Sequence, residues 1–256
     1  MTELIGHQLG QYVVTEQIGK GGMSTVYLAT QASMRRSVAI KVLPRNLTHD
    51  DKFLERFYRE VQIAASLQHP HILPVYDFGE YEGVPYIVMA YVNGGTLGDW
   101  IAQGAMDPSV VRRVTQEMAD ALDYAHRKGV IHRDFKPGNV LLDDEGNTYL
   151  TDFGLAKMSE SSMQITGTGI LGTPAYMAPE QAEPKELAPT ADVYALGVTI
   201  FQMLTGHAPY EAPTPLGVLM AHVTQPIPKI HQLRPELPQS VQVVIERAMA
   251  KSPEGR

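Results

Sequence analysis

The stretch VIHRDFKPGNVLL, at residues 130–142, places a histidine, an arginine, an aspartate, a lysine and an asparagine in one short loop. Side chains of these types transfer protons and bind charged groups. Val130-Ile131 and Val140-Leu141-Leu142 flank the loop and favour β structure, so its ends could be buried while its polar middle faces outward. A loop held in this way is suited to chemistry. A charged turn that simply faces water is the alternative interpretation.

A glycine cluster in IGKGGMSTVYLA is the second candidate. Gly19, Gly21 and Gly22 would form a tight turn whose backbone N–H groups can approach phosphates without side-chain interference. The following STVYLA favours a second strand, whereas a dinucleotide-binding fingerprint leads from a strand into a helix. The cluster therefore predicts either a strand-turn-strand flap over phosphates or an ordinary turn.

The segment VAIK places Lys41 on an otherwise apolar strand. An unpaired ammonium there would be costly, and it could meet phosphate oxygens if a partner oriented it. Glu60, on the helix that follows, is the expected partner. A pair of solvated surface charges is the alternative.

The first ninety residues or so predict short strands interrupted by one helix. The helix is DKFLERFYREVQIAASL, with Asp50 and Asp51 available to cap its start. Its apolar residues at helical spacing are Phe53, Phe57, Ile63, Ala64 and Leu67. The strand candidates are YVVTEQIG, STVYLAT, SVAIKVL, HILPVYDFGEY and VPYIVMAYV.

After VNGGTL the pattern becomes helical. One helix, PSVVRRVTQEMADALDYAHRKG, should end at Gly129, and a nearly all-apolar, buried helix, ADVYALGVTIFQMLTG, should end at Gly206. Frequent prolines from 207 to 240 predict surface loops around one short helix near PLGVLMAHV. A small β-rich lobe is thus expected before a larger helical one.

Composition limits the function classes. The chain has 256 residues and 44% hydrophobic content, enough for one large domain or two packed lobes. No run reaches the roughly 18 apolar residues of a membrane span, and the N-terminus lacks signal-peptide features, so a cytoplasmic location without membrane contact is expected. Zero cysteines exclude disulfides, and the net charge of −7 argues against nucleic-acid binding. His69 and His71 are interpreted as turn and packing residues.

Two further motifs complete a series. YLTDFGLAK supplies Asp152, and GTPAYMAPE supplies Thr173 and Glu180. In this order and spacing the motifs closely resemble those of eukaryotic-like (Hanks-type) bacterial serine/threonine protein kinases, over residues 10–256. The resemblance implies an α+β bilobal protein-kinase fold. Its N-lobe, residues 1–92, would be a small antiparallel sheet with one main helix, and its C-lobe, residues 93–256, would be mostly helical.

The resemblance also implies roles for individual residues. Asp134 would orient the acceptor hydroxyl and accept its proton, and Lys136 would steady the γ-phosphate of ATP. Asn139 and Asp152 would hold Mg²⁺, with Mn²⁺ as a substitute. Lys41 would bind the α- and β-phosphates, fixed by Glu60. These roles suit phosphoryl transfer, in which catalysis is mostly positioning and charge stabilisation.

The ATP site implied by the family combines the glycine flap, strand residues and the hinge. Its residues are Ile18, Gly19, Lys20, Gly21, Gly22, Met23, Ser24, Thr25, Val26, Ala39, Lys41, Met89, Tyr91, Val92 and Leu141. His132 is expected to stack beneath Phe153, and Asp192 to accept backbone hydrogen bonds from the catalytic loop.

The match narrows the acceptor to small hydroxyl amino acids, because a lysine two residues after the catalytic aspartate is the serine/threonine pattern. Gly138 stands where kinases that favour basic substrates often carry a glutamate, so no strong preference for upstream arginines is expected. Three positions depart from the usual pattern, and none removes a catalytic group. They are Ser24 for the third glycine, Phe135 for leucine, and Ala90 for a hinge glutamate.

A regulatory mechanism is also expected. Thr168 is the first choice of phosphorylation site and Thr166 the second. The phosphate would order the segment between Asp152 and Glu180 by binding three cations. These cations are Arg133, Lys157 and Arg56. Autophosphorylation by a second copy in trans, within a homodimer, would supply the phosphate. Thr173 is interpreted as a structural hydroxyl near Asp134.

Two other functions remain open at this point. A pseudokinase acting as a binding module usually lacks one of the catalytic lysine, aspartate or asparagine positions, and all are present here. A small-molecule kinase of related fold lacks the segment from DFG to APE.

The resemblance also implies that Glu180 and Arg256 should form a buried pair. The chain ends at Arg256 where further helices of the family fold would follow, so a longer protein with a membrane anchor and sensor domain is expected.

Overall fold

A computed structural model describes residues 4–21, 24–44, 51–153, 174–182 and 187–256. These residues fall into two compact units. The first lies within Met1–Gln68 and Ile72–Asn93, and the second within His69–His71 and Gly94–Arg256. No helix of the described ranges is long and apolar enough to cross a membrane.

The first unit is built on a six-stranded antiparallel sheet, as the strand patterns predict. Its spatial order is β1-β2-β3-β4-β6-β5. The strands are β1 Gln8–Leu9, β2 Tyr12–Lys20, β3 Thr25–Gln31, β4 Arg36–Val42, β5 Val75–Tyr81 and β6 Val84–Ala90. Chain neighbours are mostly paired, which is the economical solution for short strands joined by tight turns.

One face of this sheet carries the apolar core of the first unit. On β4 the side chains alternate, so that Val38, Ile40 and Val42 join the buried cluster with Tyr27 and Val88 of the neighbouring strands. Ala39 and Lys41 therefore point to the opposite face. The period of two thus separates the core from a second face that is available for other contacts.

Helix α1, Asp51–Ser66, completes the first unit. Phe53, Phe57 and Val61 recur every four residues and are buried, and Leu67 just beyond the helix is buried too. Ile63 and Ala64 are half-buried. Asp50 lies outside the described residues, as does the side chain of Asp51.

The second unit is mainly helical. Its helices are α2 Leu97–Ile101, α3 Pro108–Arg127, α4 Thr190–Thr205, α5 Pro215–Thr224 and α6 Gln239–Ala248, and its short hairpin is β7 Val140–Leu142 with β8 Thr148–Leu150. Helix α4 is buried along nearly its whole length, as its apolar sequence predicts, and it ends at the left-handed Gly206. The end of α3 before Gly129 is confirmed as well.

Of the helices α5 and α6, the sequence predicted the first and missed the second. The short helix near PLGVLMAHV is present as α5. Helix α6 was missed, and the proline-rich loops end at residue 238 rather than 240. Helix α6 buries Gln242 and Ile245, while Val243 and Val244 are exposed.

A buried aromatic cluster joins α4 and α5. His222 on α5 is fully buried, and its Nδ1 lies 2.9 Å from the hydroxyl of Tyr194 on α4. Its ring packs edge-on against Tyr210, with 4.9 Å between centroids. Lys251 Nζ donates to the His222 carbonyl at 2.6 Å and to the Tyr210 hydroxyl at 3.0 Å. These bonds fix α5 at both its side chain and its backbone.

Burial, followed by the charge of Lys251, lowers the pKa of His222 to about 4, although the Ala175 carbonyl raises it. Burial also lowers the pKa of Lys251 to about 8. The pKa of Tyr210 rises to about 12 through burial, so its hydroxyl stays protonated at neutral pH. The cluster is therefore held by a neutral imidazole and neutral phenols around one ammonium.

We expect His222 to make the folded protein less stable below neutral pH. The unfolded chain, with a histidine pKa near 6.5, binds a proton that the folded state excludes until about pH 4, so stability rises with pH across that window. The loss toward pH 4 should be about 3 kcal/mol. Urea unfolding from pH 4 to 7.5 should show a flatter curve for His222→Gln than for the wild type. His207→Gln, at an exposed position, should keep the wild-type slope.

Candidate active site

The loop at 130–142 brings its polar side chains together as the sequence predicts. Lys136 Nζ donates to Asp134 Oδ2 at 2.6 Å. Asn139 Nδ2 donates to the Asp134 carbonyl at 2.8 Å and to Asp134 Oδ2 at 3.2 Å. A one-turn 3₁₀ helix, Pro137–Asn139, produces this geometry by folding the chain back before β7. The Asp134 carboxylate is thus held by a cation and an amide, yet stays partly exposed.

Asp192, in the first turn of α4, supports this loop from below. Its Oδ2 accepts the backbone N–H of His132 and its Oδ1 accepts that of Arg133, both at 2.8 Å. His126 Nε2 also lies 2.8 Å from Oδ2. Only 1% of Asp192 is exposed, so these three donors replace its lost hydration. The predicted role of Asp192 is confirmed.

His132 is a packing residue, as the sequence analysis proposed. Its ring lies edge-on to Phe153, with 4.8 Å between centroids, and to Phe135 at 6.1 Å. Nε2 lies 2.8 Å from the Thr151 carbonyl, and Nδ1 accepts the Asp134 backbone N–H at 3.3 Å. These partners require a neutral ring with its proton on Nε2. Phe135 is buried and takes part in the same packing.

Two residues next to this network have left-handed backbones. Arg133 and Asp152 both have φ of 69°. Non-glycine residues adopt this conformation at a cost of about 1–3 kcal/mol, and they persist where surrounding contacts over-determine them. For Arg133 these contacts are the bond to Asp192 and the bond from Gln181 Nε2 to its carbonyl, at 3.2 Å. The strain falls on both sides of the proposed catalytic residues.

The proposed metal ligands, Asn139 and Asp152, come from neighbouring chain segments. The Thr151 N–H donates to the Asn139 carbonyl at 2.9 Å, which sets Asp152 directly beside the end of the loop. Because Asn139 Nδ2 bonds to Asp134, its Oδ1 remains as an oxygen donor. One carboxylate and one amide oxygen suit Mg²⁺, which keeps several waters and needs few protein ligands. The described residues hold no cluster of three or more histidine, cysteine or acidic side chains suited to a metal.

In the first unit, the proposed ATP-binding residues lie on the sheet face opposite the core. Val26 pairs with Lys41, and Ala39 pairs with Met89, across adjacent strands. Residues directly opposite in register share a face, and so do residues two apart along one strand. All four side chains therefore lie on one face of the sheet. Lys41 is half-buried there, and Glu60 is half-buried on α1.

The glycine cluster lies between β2 and β3, which pair antiparallel. Gly19 and Lys20 end β2, Thr25 and Val26 begin β3, and the Gly21 N–H donates to the Ser24 carbonyl at 2.9 Å. This is the predicted strand-turn-strand flap rather than a dinucleotide-binding turn. Gly22 and Met23 lie outside the described residues.

The remaining residues of the proposed ATP site have the following positions. Ile18 is exposed on β2, and Tyr91 and Val92 follow β6. Leu141 lies on β7 in the second unit, where it pairs with Tyr149. Arg56 is exposed on α1 in the first unit, and Arg133 lies in the second. The predicted positions Lys157, Thr166, Thr168 and Thr173 lie outside the described residues.

The predicted pair between Glu180 and Arg256 is confirmed. Arg256 Nη1 and Nη2 donate to Glu180 Oε1 and Oε2 at 2.5 and 2.8 Å. The guanidinium is fully buried, and it also donates to the carbonyls of Ala250, Thr190 and Lys251. A bidentate pair with every other donor used is the arrangement in which a buried charge is tolerated.

Several positioning residues escaped the sequence analysis. Gln181 accepts the Ala178 N–H through Oε1 and donates to the Arg133 carbonyl. It therefore connects the segment 179–182 to the loop at 130–142. Tyr176 donates to Gln202 of α4 at 2.7 Å. His126 meets Asp192. The one sequence signal was the adjacency of Tyr176 and Gln181 to the APE motif.

Comparison with known proteins identifies the family and the fold. A family model described as the protein kinase domain matches residues 12–256. Serine/threonine-protein kinase PrkC of Bacillus subtilis is 39% identical over 252 residues, which are 98% of this chain and 39% of PrkC. The probable serine/threonine-protein kinase PknB of Lactococcus lactis is 40% identical over 250 residues, or 96% of this chain and 40% of PknB. The crystal structure of the Mycobacterium tuberculosis PknI kinase domain is 35% identical, with a TM-score of 0.76 over 98% of this chain and 92% of that chain.

This chain belongs to the protein kinase domain family, and the predicted fold class and the resemblance to Hanks-type bacterial kinases are confirmed. The chain spans about two fifths of the length of the two curated relatives.

We expect Asp192→Asn to destabilise the second unit by about 2–3 kcal/mol. Either orientation of the new amide turns an N–H₂ group toward a backbone donor and leaves it unsatisfied in a buried site. Asp123→Asn is the matched control, because Asp123 is exposed and pairs with Arg127 at the surface, where such pairs contribute little. Thermal unfolding of both variants provides the measurement. An equal loss in the two would contradict the supporting role of Asp192.

Proposed function

We propose that this chain is a serine/threonine protein kinase domain that transfers the γ-phosphoryl group of ATP to protein hydroxyl groups. The observation that carries the proposal is the Asp134 carboxylate, partly exposed and held by Lys136 and Asn139. The relatives named serine/threonine-protein kinases support it, since they match nearly all of this chain.

In the proposed reaction, Asp134 orients the acceptor hydroxyl and takes its proton. The acceptor oxygen forms a bond to the γ-phosphorus, the bond to the bridging oxygen breaks, and ADP leaves with that electron pair. Lys136, whose Nζ lies within 2.6 Å of Asp134, is placed to neutralise the transferred phosphoryl oxygens. The transition state carries much negative charge, so a fixed ammonium beside the base stabilises it without reorganisation.

The nucleotide would be bound by two sets of residues. Lys41 and the backbone N–H groups of the β2–β3 flap would hold the phosphates, and Ala39 and Met89 would contact the base from the same sheet face. Asn139 and Asp152 would hold Mg²⁺. When bound, that ion would offset the negative charge of the phosphates.

The completeness of the site favours this function over the two alternatives. A binding module would not require Asp134 to be both exposed and held by a lysine and an asparagine. A small-molecule kinase would not require the segment 174–182, which Tyr176, Gln181 and Glu180 anchor at three points. We further propose that protein acceptors include a second copy of this chain, with Thr168 and Thr166 as the acceptor sites.

Removing Asp134 and Asp152 should separate the two halves of the site. Asp134→Asn should lower phosphate transfer by at least about 100-fold while ATP affinity stays near wild type, since the lost group acts on the acceptor. Asp152→Asn should also weaken Mg²⁺-dependent ATP binding. Transfer of labelled phosphate to a generic protein acceptor and calorimetric titration with ATP would measure the two effects. Asp144→Asn, at the exposed hairpin turn, is the control, and normal turnover by either site variant would refute the assignment.

The regulatory proposal has its own test. Phosphothreonine would carry about −1.5 to −2 charges for the proposed cations Arg133, Lys157 and Arg56 to bind, so Thr166→Ala/Thr168→Ala should lower activity about tenfold or more. Mass spectrometry of active wild-type protein should locate phosphate at these threonines. Full activity in the double variant, or phosphate only at Ser159, Ser161 and Ser162, would contradict it.

A further inference from the structure

Gln181 lies in the 3₁₀ turn Pro179–Ala182, and its side chain bonds to two separate parts of the second unit. Its Oε1 accepts the Ala178 N–H at 2.8 Å, and its Nε2 donates to the Arg133 carbonyl at 3.2 Å. A backbone N–H can only donate and a carbonyl can only accept, so both partners require the same orientation of the amide. The side chain is therefore an oriented bridge between the 3₁₀ turn and the loop at 130–142.

The 3₁₀ turn is a firm support for this bridge. The Gln181 N–H donates to the Ala178 carbonyl at 2.9 Å, and Ala178 is fully buried. The adjacent Glu180 forms the bidentate pair with Arg256, whose side chain is fully buried as well. Because the backbone of Gln181 is fixed on both sides, its amide can restrain a carbonyl that lies 48 residues earlier in the chain.

The other end of the bridge lies at a strained residue. Arg133 has a left-handed backbone with φ of 69°, a conformation that non-glycine residues keep only where surrounding contacts hold it. The Asp192 carboxylate holds the peptide group before Arg133, since it accepts the Arg133 N–H at 2.8 Å. Gln181 holds the peptide group after Arg133, through the carbonyl. This second peptide group leads directly into Asp134.

The peptide group between Arg133 and Asp134 determines how Asp134 is presented. Its N–H donates to His132 Nδ1 at 3.3 Å, which is a long and therefore weak hydrogen bond. The bond from Gln181 to its carbonyl is a second restraint on the same group. Rotation of this group would redirect the Asp134 carboxylate, and a misplacement of about 1 Å can lower a rate on the order of 100-fold.

We propose that Gln181 is a positioning residue for phosphoryl transfer: its amide holds the Arg133–Asp134 peptide group against the 3₁₀ turn, so that Asp134 keeps a fixed position relative to the segment 174–182. The proposal rests on the proposed kinase function, in which Asp134 meets the acceptor hydroxyl and the segment 174–182 supports the protein acceptor. Gln181 thus sets where the base stands and takes no part in the chemical step itself.

Two substitutions of Gln181 separate its two bonds. Gln181→Met keeps the length of the side chain and loses both bonds. Gln181→Glu keeps an oxygen for the Ala178 N–H and turns a second oxygen, which when ionised can only accept, toward the Arg133 carbonyl. We expect both variants to lower kcat for a protein acceptor about five- to tenfold with the KM for ATP unchanged, because only the base is displaced. Gln116→Met, the same change at an exposed position of α3, should keep the wild-type kcat and KM.

Hydrogen–deuterium exchange of residues 131–135 and 178–182 supplies a readout independent of catalysis. Both Gln181 variants should speed exchange at 131–135, whereas only Gln181→Met should also speed it at 178–182. A wild-type kcat in the Gln181→Glu variant would overturn the proposal and leave Gln181 as a cap of its own turn. Absence of transfer by both the wild type and Gln116→Met would refute the kinase function instead, and exchange at 131–135 would still decide whether Gln181 restrains the loop.

Discussion

The Asp192 carboxylate is the interaction on which the rest of the candidate site depends. It accepts the N–H groups of two consecutive residues, His132 and Arg133, and this forces the chain to turn where Arg133 adopts a left-handed conformation. The next residue, Asp134, is thereby presented outward while His132 is directed into the core. The carboxylate lies on α4, which is buried along nearly its whole length, so its hydrogen bonds anchor the loop to the core.

The segment around the APE motif is held by bonds of a different kind. Arg256 and Glu180 form a buried bidentate pair, and Tyr176 and Gln181 bind α4 and the catalytic loop through neutral groups. The desolvation of both charges in such a buried pair offsets much of their attraction. Neutral hydrogen bonds refine the position of the same segment at lower cost.

In the first unit the sheet register decides which side chains are available. Val38, Ile40 and Val42 fill the core, and this leaves Ala39 and Lys41 on the other face beside Val26 and Met89. A shift of one residue would bury the lysine and expose the valines. Because that exchange is costly, packing in the core fixes the strand register and therefore the face on which Lys41 lies.

The sequence by itself determined the family and the order of most elements, and it singled out the loop at 130–142, because these are encoded in short segments. The alternation in SVAIKVL specifies a strand, and the all-apolar ADVYALGVTIFQML specifies a buried helix. The sequence also predicted the Asp192 and Glu180–Arg256 contacts, through the resemblance to a family. It did not predict α6, where the exposed Val243 and Val244 adjoin the buried Ile245, or the burial of Val61.

Only the tertiary structure decided the partners of side chains that are distant in the chain. His222 on α5 contacts Tyr194 on α4, Tyr210 in a loop and Lys251 just after α6. No local pattern marks a histidine on an apolar helix as the centre of such a cluster. The physical reason is that periodicity records which face of an element is buried, whereas a hydrogen bond depends on which other element packs there. Burial then sets the chemistry, since it lowers the pKa of the His222 imidazole from near 6.5 in water to about 4 in the core.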